Sequence, residues 1–354
     1  MTLYAAWLLV GTAFCLAVAV LPLCAAAARR WGVMDKPGGR KDHGEPVPLA
    51  GGSALFVAVS IPALVAAHYA HELAVFIPEG LHPYVDGLDL RWNVLCWVLG
   101  GALINLVLGA WDDARPLSPW LRLAVQSLAA WLPVNAGLSA HVFGDPLADA
   151  ILTILFMVTI TNAFNFIDNM NGLATGVAFI SALHLFTLAQ AEGEVFDAGL
   201  LALVLGALAA VLLANFPRAR VFLGDSGSTS VGFLLAALAV AHTFAHRSPG
   251  SDLPPLALAG PLLVLAVPVI DFALVFCTRL ARGVHPFTAG HDHLSHRLLR
   301  HGMTRRGAVV WLWGVAILAG LPLHLGIGLP LLAAVWVPGL AILLLLVART
   351  VTRP

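Results

Sequence analysis

The chain has 354 residues, of which 60% are hydrophobic and only 11% are charged, and its formal net charge is zero. Soluble domains carry roughly 25% charged residues, so this composition excludes an ordinary soluble protein and favours a chain that folds in a bilayer. The zero net charge says nothing about an anionic partner, and we expect no nucleic-acid partner. The four cysteines lie in or beside apolar stretches without a CxxC pair, which predicts packing roles and no disulfide framework.

Long apolar runs recur along the whole chain. About 20 apolar residues cross a bilayer as a helix. The first run lacks the basic start of a signal peptide and is too long for one, so we interpret it as a retained helix. Because the gaps are short, we predict an all-α integral membrane fold with one polytopic domain over 1–354. The eleven expected spans lie near 3–28, 49–70, 92–111, 118–138, 148–166, 172–191, 198–216, 226–246, 256–278, 307–325 and 328–348.

The basic residues predict the orientation of these spans. With an odd number of spans, the loops form two sets; one holds seventeen of the nineteen Lys and Arg residues, and the other holds Arg91 and Arg247. The positive-inside rule places the rich set in the cytoplasm, with the N-terminus outside and the C-terminus inside. The polar motifs fall on the same side, in loops 29–48, 109–117, 162–172, 216–228 and 279–306.

Acidic and amide residues gather where spans end. Asp112 and Asp113 end the third span, where the helix dipole disfavours acids, so they need a cation such as Mg²⁺ unless they belong to a solvated loop. Asn162, Asn165, Asp168 and Asn171 recur every three residues, and a tighter turn or a break at Gly172 would bring them together. The alternative for this second group is a helix cap with exposed amides.

Two further segments suit anions. Asp225 lies in a Gly-Asp-Ser-Gly turn before a span, which indicates a metal with a phosphate at a helix N-terminus, or a plain N-cap. Histidines and arginines crowd residues 285–301, a combination that favours diphosphate binding over zinc, with solvated histidines as the other alternative. Residues 35–43 form a basic, Gly-rich loop, whose cations could also be topology signals alone. Hard-cation ligands and anion-binding groups on one face are what phosphoryl transfer requires.

These motifs together resemble the polyprenyl-phosphate N-acetylhexosamine-1-phosphate transferases, over Asp35 to about Arg306 and in family order. The resemblance implies eleven spans with a cytoplasmic cleft, and Mg²⁺ as cofactor, with Mn²⁺ as an alternative. It implies that Asp112 and Asp113 engage the lipid phosphate and, with Asp168, form the catalytic group, and that Asn165 and Asp225 bind the metal. The substrate-binding residues that it implies are Arg40, Lys41, His43, Asn171, His293, His296 and Arg297.

The chain departs from the family patterns at two motifs. The bacterial pattern Asp-Gly-x-Asp-Gly reads Asp168-Asn-Met-Asn171-Gly here, so Asn171 can still hydrogen-bond uracil but cannot act as a base. The pattern His-Leu-His-His-Arg has Ser295 in place of its middle histidine. Asp271, the one charge deep in a span, is interpreted as a packing or hydrogen-bonded residue.

The reaction that we expect is transfer of a sugar-1-phosphate from a UDP-sugar to undecaprenyl phosphate, with release of UMP. The sugar is expected to be GlcNAc, with another N-acetylhexosamine or MurNAc-pentapeptide as alternatives. Asp112 or Asp113 acts either as a general base or as a group that orients the nucleophile. The second role is favoured because a phosphate monoester has a second pKa of about 6 and needs no strong base at neutral pH. We expect a multi-pass protein of the bacterial inner membrane and leave a homodimer open. A transporter is the competing interpretation; it predicts polar groups near the midplane and an inverted repeat.

Overall fold

A computed structural model describes residues 1–35, 45–69, 72, 82–244, 255–288 and 290–324, and these are almost entirely helical. Two short strands, β1 (Met34–Asp35) and β2 (Val47–Pro48), pair antiparallel after the first helix. The helices are α1 (Leu3–Trp31), α2 (Gly51–His68), α3 (His82–Ala114), α4 (Pro119–Asn135), α5 (Pro146–Ile167), α6 (Leu173–Glu192), α7 (Val195–Asn215), α8 (Gly224–Phe244), α9 (Pro255–Val264), α10 (Ala266–Ala281), α11 (Leu294–Arg300) and α12 (Arg305–His324).

The helices follow the apolar runs of the sequence. Within the described part of the chain, eight are long and apolar enough to cross a membrane. The expected span 118–138 is a helix of 17 residues, α4. The expected span 256–278 is divided at Leu265 into α9 and α10. The eleventh, 328–348, lies outside the described residues. The chain is therefore an α-helical, multi-pass membrane protein.

Helix α8 lies at the centre of the bundle and packs against α2, α3, α5 and α6. Small residues make this close packing possible. A methyl group added at Gly232 would touch the backbone of α5 at Thr161, 3.0 Å away, and one added at Gly52 in α2 would overlap the backbone of Gly227. Because α8 is enclosed by its neighbours, its N-terminal residues are held in a fixed position relative to α2, α3 and α5.

The connections that contain the sequence motifs lie at one end of the helix bundle. The amide of Leu49 donates to the carbonyl of Val33 at 3.2 Å, which joins the start of α2 to the end of α1. Phe222, just before α8, donates to the carbonyl of Pro48 at 3.0 Å and accepts from Gly51 at 3.0 Å. The segment that leads into α8 is thereby fixed against the α1–α2 connection.

Candidate active site

Asp113, at the end of α3, caps the start of α8. Its carboxylate accepts from the backbone amide of Asp225 at 3.0 Å and from that of Ser226 at 3.2 Å. An acid at a helix C-terminus is unfavourable alone, and here the positive N-terminal end of another helix compensates it. The N–H groups that the sequence suggested for a phosphate thus already hold an anion that belongs to the protein itself.

Gly109 makes this contact possible. A methyl group added there would overlap the backbone of Asp225 and Ser226, so only glycine lets the last turns of α3 approach the first turn of α8 this closely. Asp113, one turn further along α3, then reaches the first amides of α8.

Arg122 connects the neighbouring acid to the amide motif. Its guanidinium pairs with Asp112 at 2.6 Å and donates to Oδ1 of Asn165 at 3.0 Å. The other oxygen of Asp112 accepts from the amide of Leu117 at 2.7 Å. The sequence motifs do not include Arg122 among the site residues. The feature that could have identified it is its position in the first turn of an apolar helix that follows an acid pair.

Asn165 joins this group to Asp225. Its Nδ2 donates to Oδ1 of Asp225 at 2.8 Å and to the hydroxyl of Ser228 at 3.2 Å. Asp112, Arg122, Asn165 and Asp225 therefore form one continuous polar chain across α3, α4, α5 and α8. Three of these four were predicted site residues, and they converge although Asn165 and Asp225 are 60 positions apart in the sequence.

The other members of the amide motif diverge. Asn162 is buried and donates to Gln126 of α4 at 2.7 Å, away from Asp225. Asn171 contacts the carbonyl of Pro217 at 3.5 Å. Helix α5 ends at Ile167, and Gly172 caps the start of α6 with a φ of 75°, so the chain turns between them as expected. The expected gathering of all four residues does not occur, because α5 stays helical through Asn162 and Asn165, and the Asn162 side chain contacts Gln126 whereas that of Asn165 contacts Arg122 and Asp225.

Asp168 follows the last residue of α5 and is half-buried. Burial raises the pKa of its carboxyl well above the ordinary value, and the negative charges of Asp225 and Asp113 raise it further. The carboxyl groups of Asp168, Asp225 and Asp113 therefore repel one another when they are charged. A cation bound between them would offset this repulsion.

The histidine segment packs against the same end of α5. The ring of His293 makes an edge-to-face contact with that of Phe166, with 5.8 Å between centroids, and the guanidinium of Arg279 lies 5.9 Å from the Phe166 ring. Phe166 is the residue after Asn165. Its ring therefore links the histidine segment to the helix end that carries the polar chain.

His296 lies 4.7 Å from His291 and 6.2 Å from His293 between ring centroids. Burial, together with the charges that His291, His293 and Arg305 would carry, lowers its pKa to about 4. Arg297 donates to the carbonyl of Asp292 at 2.8 Å and to the hydroxyl of Thr278 at 3.3 Å, contacts that fasten α11 to the preceding loop and to α10. The predicted residues Arg40, Lys41 and His43 lie outside the described part of the chain.

The hydrogen-bonded series of side chains from Asp112 to Asp225 offers few ligands to a metal ion. Among the described residues, no three His, Cys, Asp or Glu side chains form a ready metal site. Asp225 and Asn165 would supply two ligands, and Asn165 would have to turn its amide, because Oδ1 now faces Arg122 and Nδ2 faces Asp225. A small number of protein ligands is typical of Mg²⁺ sites, because this ion usually keeps several water ligands and binds the phosphates of the substrate as well.

Comparison with known proteins identifies the family of this chain. The pattern of the family described as glycosyl transferase family 4 matches residues 95–243, which run from within α3 to the last turn of α8. The decaprenyl-phosphate N-acetylglucosaminephosphotransferase of Mycolicibacterium smegmatis is 31% identical, over 82% of this chain and 75% of its own. The undecaprenyl-phosphate alpha-N-acetylglucosaminyl 1-phosphate transferase of Salmonella typhi is 26% identical, over 84% of this chain and 78% of its own. The chain therefore belongs to glycosyl transferase family 4 and is a phosphoglycosyl transferase.

Proposed function

We propose that the protein transfers GlcNAc-1-phosphate from UDP-GlcNAc to a polyprenyl phosphate, releasing UMP and forming polyprenyl-diphosphate-GlcNAc for cell-envelope glycan synthesis. The relatives are named for GlcNAc transfer to undecaprenyl or decaprenyl phosphate, which supports the sugar and the lipid class. The observation that carries the proposal is the continuous chain Asp112–Arg122–Asn165–Asp225 at one end of the bundle.

In this reaction an oxygen of the lipid phosphate attacks the sugar-linked phosphorus of the donor. A bond forms between that oxygen and the phosphorus, and the bond from the phosphorus to the oxygen shared with UMP breaks. A phosphate monoester has a second pKa of about 6, so the attacking group is largely dianionic at neutral pH and needs no strong base. Asp112 and Asp113 therefore act by orientation: Asp112 fixes Arg122, and Asp113 fixes the turn that carries Asp225.

Positive charge must balance the two anionic substrates. Arg122, held between Asp112 and Asn165, lies where an arriving phosphate would compete for its guanidinium. His293, His296 and Arg297 are assigned to the donor diphosphate; His296, with a pKa of about 4, would contact it as a neutral hydrogen-bond donor. Asn171 is assigned to uracil, where its amide can both donate and accept. Asp225 and Asn165 would hold Mg²⁺, or Mn²⁺ in its place, which when bound neutralises charge on the diphosphate.

We also propose eleven spans in a single domain of the bacterial inner membrane, with the site facing the cytoplasm. The bias of seventeen Lys and Arg residues against two supports this orientation. Single cysteines introduced as Arg115→Cys and Arg91→Cys into a cysteine-free variant test it in intact spheroplasts. A membrane-impermeant maleimide should label position 91 and spare position 115 until the membrane is opened; the reverse pattern contradicts the orientation. Chemical cross-linking in native membranes tests a homodimer.

Purified protein with Mg²⁺ and a panel of UDP-sugars, with undecaprenyl or decaprenyl phosphate as acceptor, tests the reaction. UDP-GlcNAc should give lipid-dependent UMP release and a lipid product whose added mass is that of GlcNAc phosphate. At the Mg²⁺ concentration that half-saturates the wild type, Asp225→Asn should strongly reduce both signals. A folded protein that releases UMP with none of the UDP-sugars would refute the proposal, and release with UDP-MurNAc-pentapeptide alone would reassign the sugar.

A further inference from the structure

Asp271 is a buried acid in an otherwise apolar stretch of α10, between Ile270 and Phe272. It is only 1% exposed. A carboxylate in such surroundings is costly unless both of its oxygens find hydrogen-bond donors. Its neighbours along α10 offer none, so the donors come from another part of the chain.

Both donors lie in the histidine segment (285–301), at the start of α11. Oδ2 of Asp271 lies 2.8 Å from Nδ1 of His293, and Oδ1 accepts from the backbone amide of Leu294 at 2.6 Å. The second contact satisfies the first free N–H of α11. One carboxylate thereby fixes both the backbone and the side chain at the point where α11 begins.

This pairing determines the tautomer of His293. An ionised carboxylate can only accept hydrogen bonds, so Nδ1 of the ring must carry its hydrogen. In a neutral ring the other nitrogen, Nε2, then has a free lone pair, and in a charged ring it is a donor. The contact with Phe166, 5.8 Å between centroids, restricts the ring further. Nε2 is therefore the nitrogen left for a ligand.

We propose that Asp271 is a positioning residue for the transfer reaction: it holds the Nδ1–H of His293, so that Nε2 faces the donor diphosphate and donates to it when the ring is charged. This inference rests on the proposed function. Asp271 itself touches no substrate; it acts through His293. Carboxylates that orient metal-binding histidines in this way are worth about 10- to 100-fold in metal affinity or activity, and we expect an effect of the same size here.

The variant Asp271→Asn tests this inference in the full-length enzyme. An amide has the same shape but offers one donor and one acceptor, whereas His293 and Leu294 both donate. Either one contact is lost, or the His293 ring moves its hydrogen from Nδ1 to Nε2, and both outcomes remove the orientation that Asp271 imposes. We expect kcat to fall about 10- to 100-fold, while the KM for UDP-GlcNAc changes less than about threefold because the lost interaction strengthens in the transition state. Asp149→Asn is the control, since Asp149 is equally buried and accepts from the amides of Val142 and Phe143 at the start of α5. It should keep the wild-type kcat.

A double variant separates positioning from a purely structural role. If Asp271 acts through His293, Asp271→Asn should cost less than about twofold in a His293→Gln background. Losses that multiply, or a wild-type kcat in Asp271→Asn, would overturn the inference.

The wild-type protein supplies a second measurement that does not depend on the folding of Asp271→Asn. Protein labelled with ¹⁵N-histidine, at about pH 8 where free imidazole is neutral, shows which ring nitrogen carries hydrogen, and the His293→Gln spectrum identifies the signals. Hydrogen on Nδ1, with or without hydrogen on Nε2, is expected, and hydrogen on Nε2 alone overturns the inference. This readout needs no turnover, so it stands even if the wild type releases no UMP, a result that would refute the proposed function instead.

Discussion

The hydroxyl of Ser295 donates to Oδ1 of Asn169 at 2.6 Å. Both residues stand where this chain departs from the patterns Asp-Gly-x-Asp-Gly and His-Leu-His-His-Arg that its motifs resemble. The two departures are therefore partners in one contact, which joins the turn after α5 to α11. Together with the contacts that Asp271 makes to His293 and Leu294, this hydrogen bond fixes the histidine segment relative to the turn that follows Asp168.

Removing the hydrogen bond between Ser295 and Asn169 should destabilise the packing of the histidine segment. Ser295 is only 1% exposed, so Ser295→Ala leaves an acceptor on Asn169 without its donor. We expect a loss of about 1–3 kcal/mol in the free energy of unfolding, together with a several-fold loss of kcat. The matched control is Ser181→Ala in α6, where a buried hydroxyl donates to the carbonyl of Val264 at 2.8 Å. Thermal unfolding and UMP release measure both variants; equal kcat values in the two would contradict the expectation.

Gly109 should tolerate no side chain. The methyl group of Gly109→Ala would overlap the backbone that carries Asp225, so the first turn of α8 must shift. We expect a cost of about 1–3 kcal/mol in stability and at least about 100-fold in kcat, because a displacement of this size misaligns the reacting groups.

Gly100 on the same helix is the control. Its added methyl group would meet only the ring of Trp97, 4.0 Å away. Gly100→Ala should therefore keep its activity and gain about 0.5–1 kcal/mol, since alanine is the better helix former. Wild-type activity in Gly109→Ala would show that the close contact between α3 and α8 does not matter for the reaction.

Metal removal should abolish UMP release. We expect EDTA to stop the reaction, and excess Mg²⁺ or Mn²⁺ to restore it. Asp225→Asn should raise the half-saturating Mg²⁺ concentration at least about 10-fold, whereas Asp149→Asn should leave it unchanged. Full activity in EDTA, or an unchanged Mg²⁺ requirement in Asp225→Asn, would remove the metal role proposed for Asp225.

The stability of the protein should depend on pH through His296. The pKa of this group is lowered to about 4 in the folded protein, against an ordinary value of 6.5. Between these values the unfolded chain binds a proton that the folded protein does not, so stability falls as pH decreases from 6.5 towards 4.

Thermal unfolding without substrates measures this effect. The fall in Tm on acidification should be smaller in His296→Asn than in the wild type, and His141→Asn, at an exposed position away from the site, should behave like the wild type. An equal fall in His296→Asn and wild type would show that His296 does not contribute.

The sequence by itself determined the membrane architecture and the chemical groups of the site. Helical spans are local: a run of about 20 apolar residues must form a helix in a bilayer whatever surrounds it, so most helix bounds lie within a few residues of the expected ones. The motifs likewise identified Asp112, Asn165 and Asp225, because acids and amides at span ends are costly without partners.

Only the tertiary structure decided which partners these groups have. Asp113 holds the amides of Asp225 and Ser226 across 112 positions or more, and Asn162 faces Gln126 while Asn165, one turn later, faces Asp225. Such choices depend on how the helices rotate and approach, which glycines such as Gly109 permit and no local pattern encodes. Asp271 illustrates both levels: its sequence context required hydrogen-bond partners, and the fold identified them as His293 and Leu294.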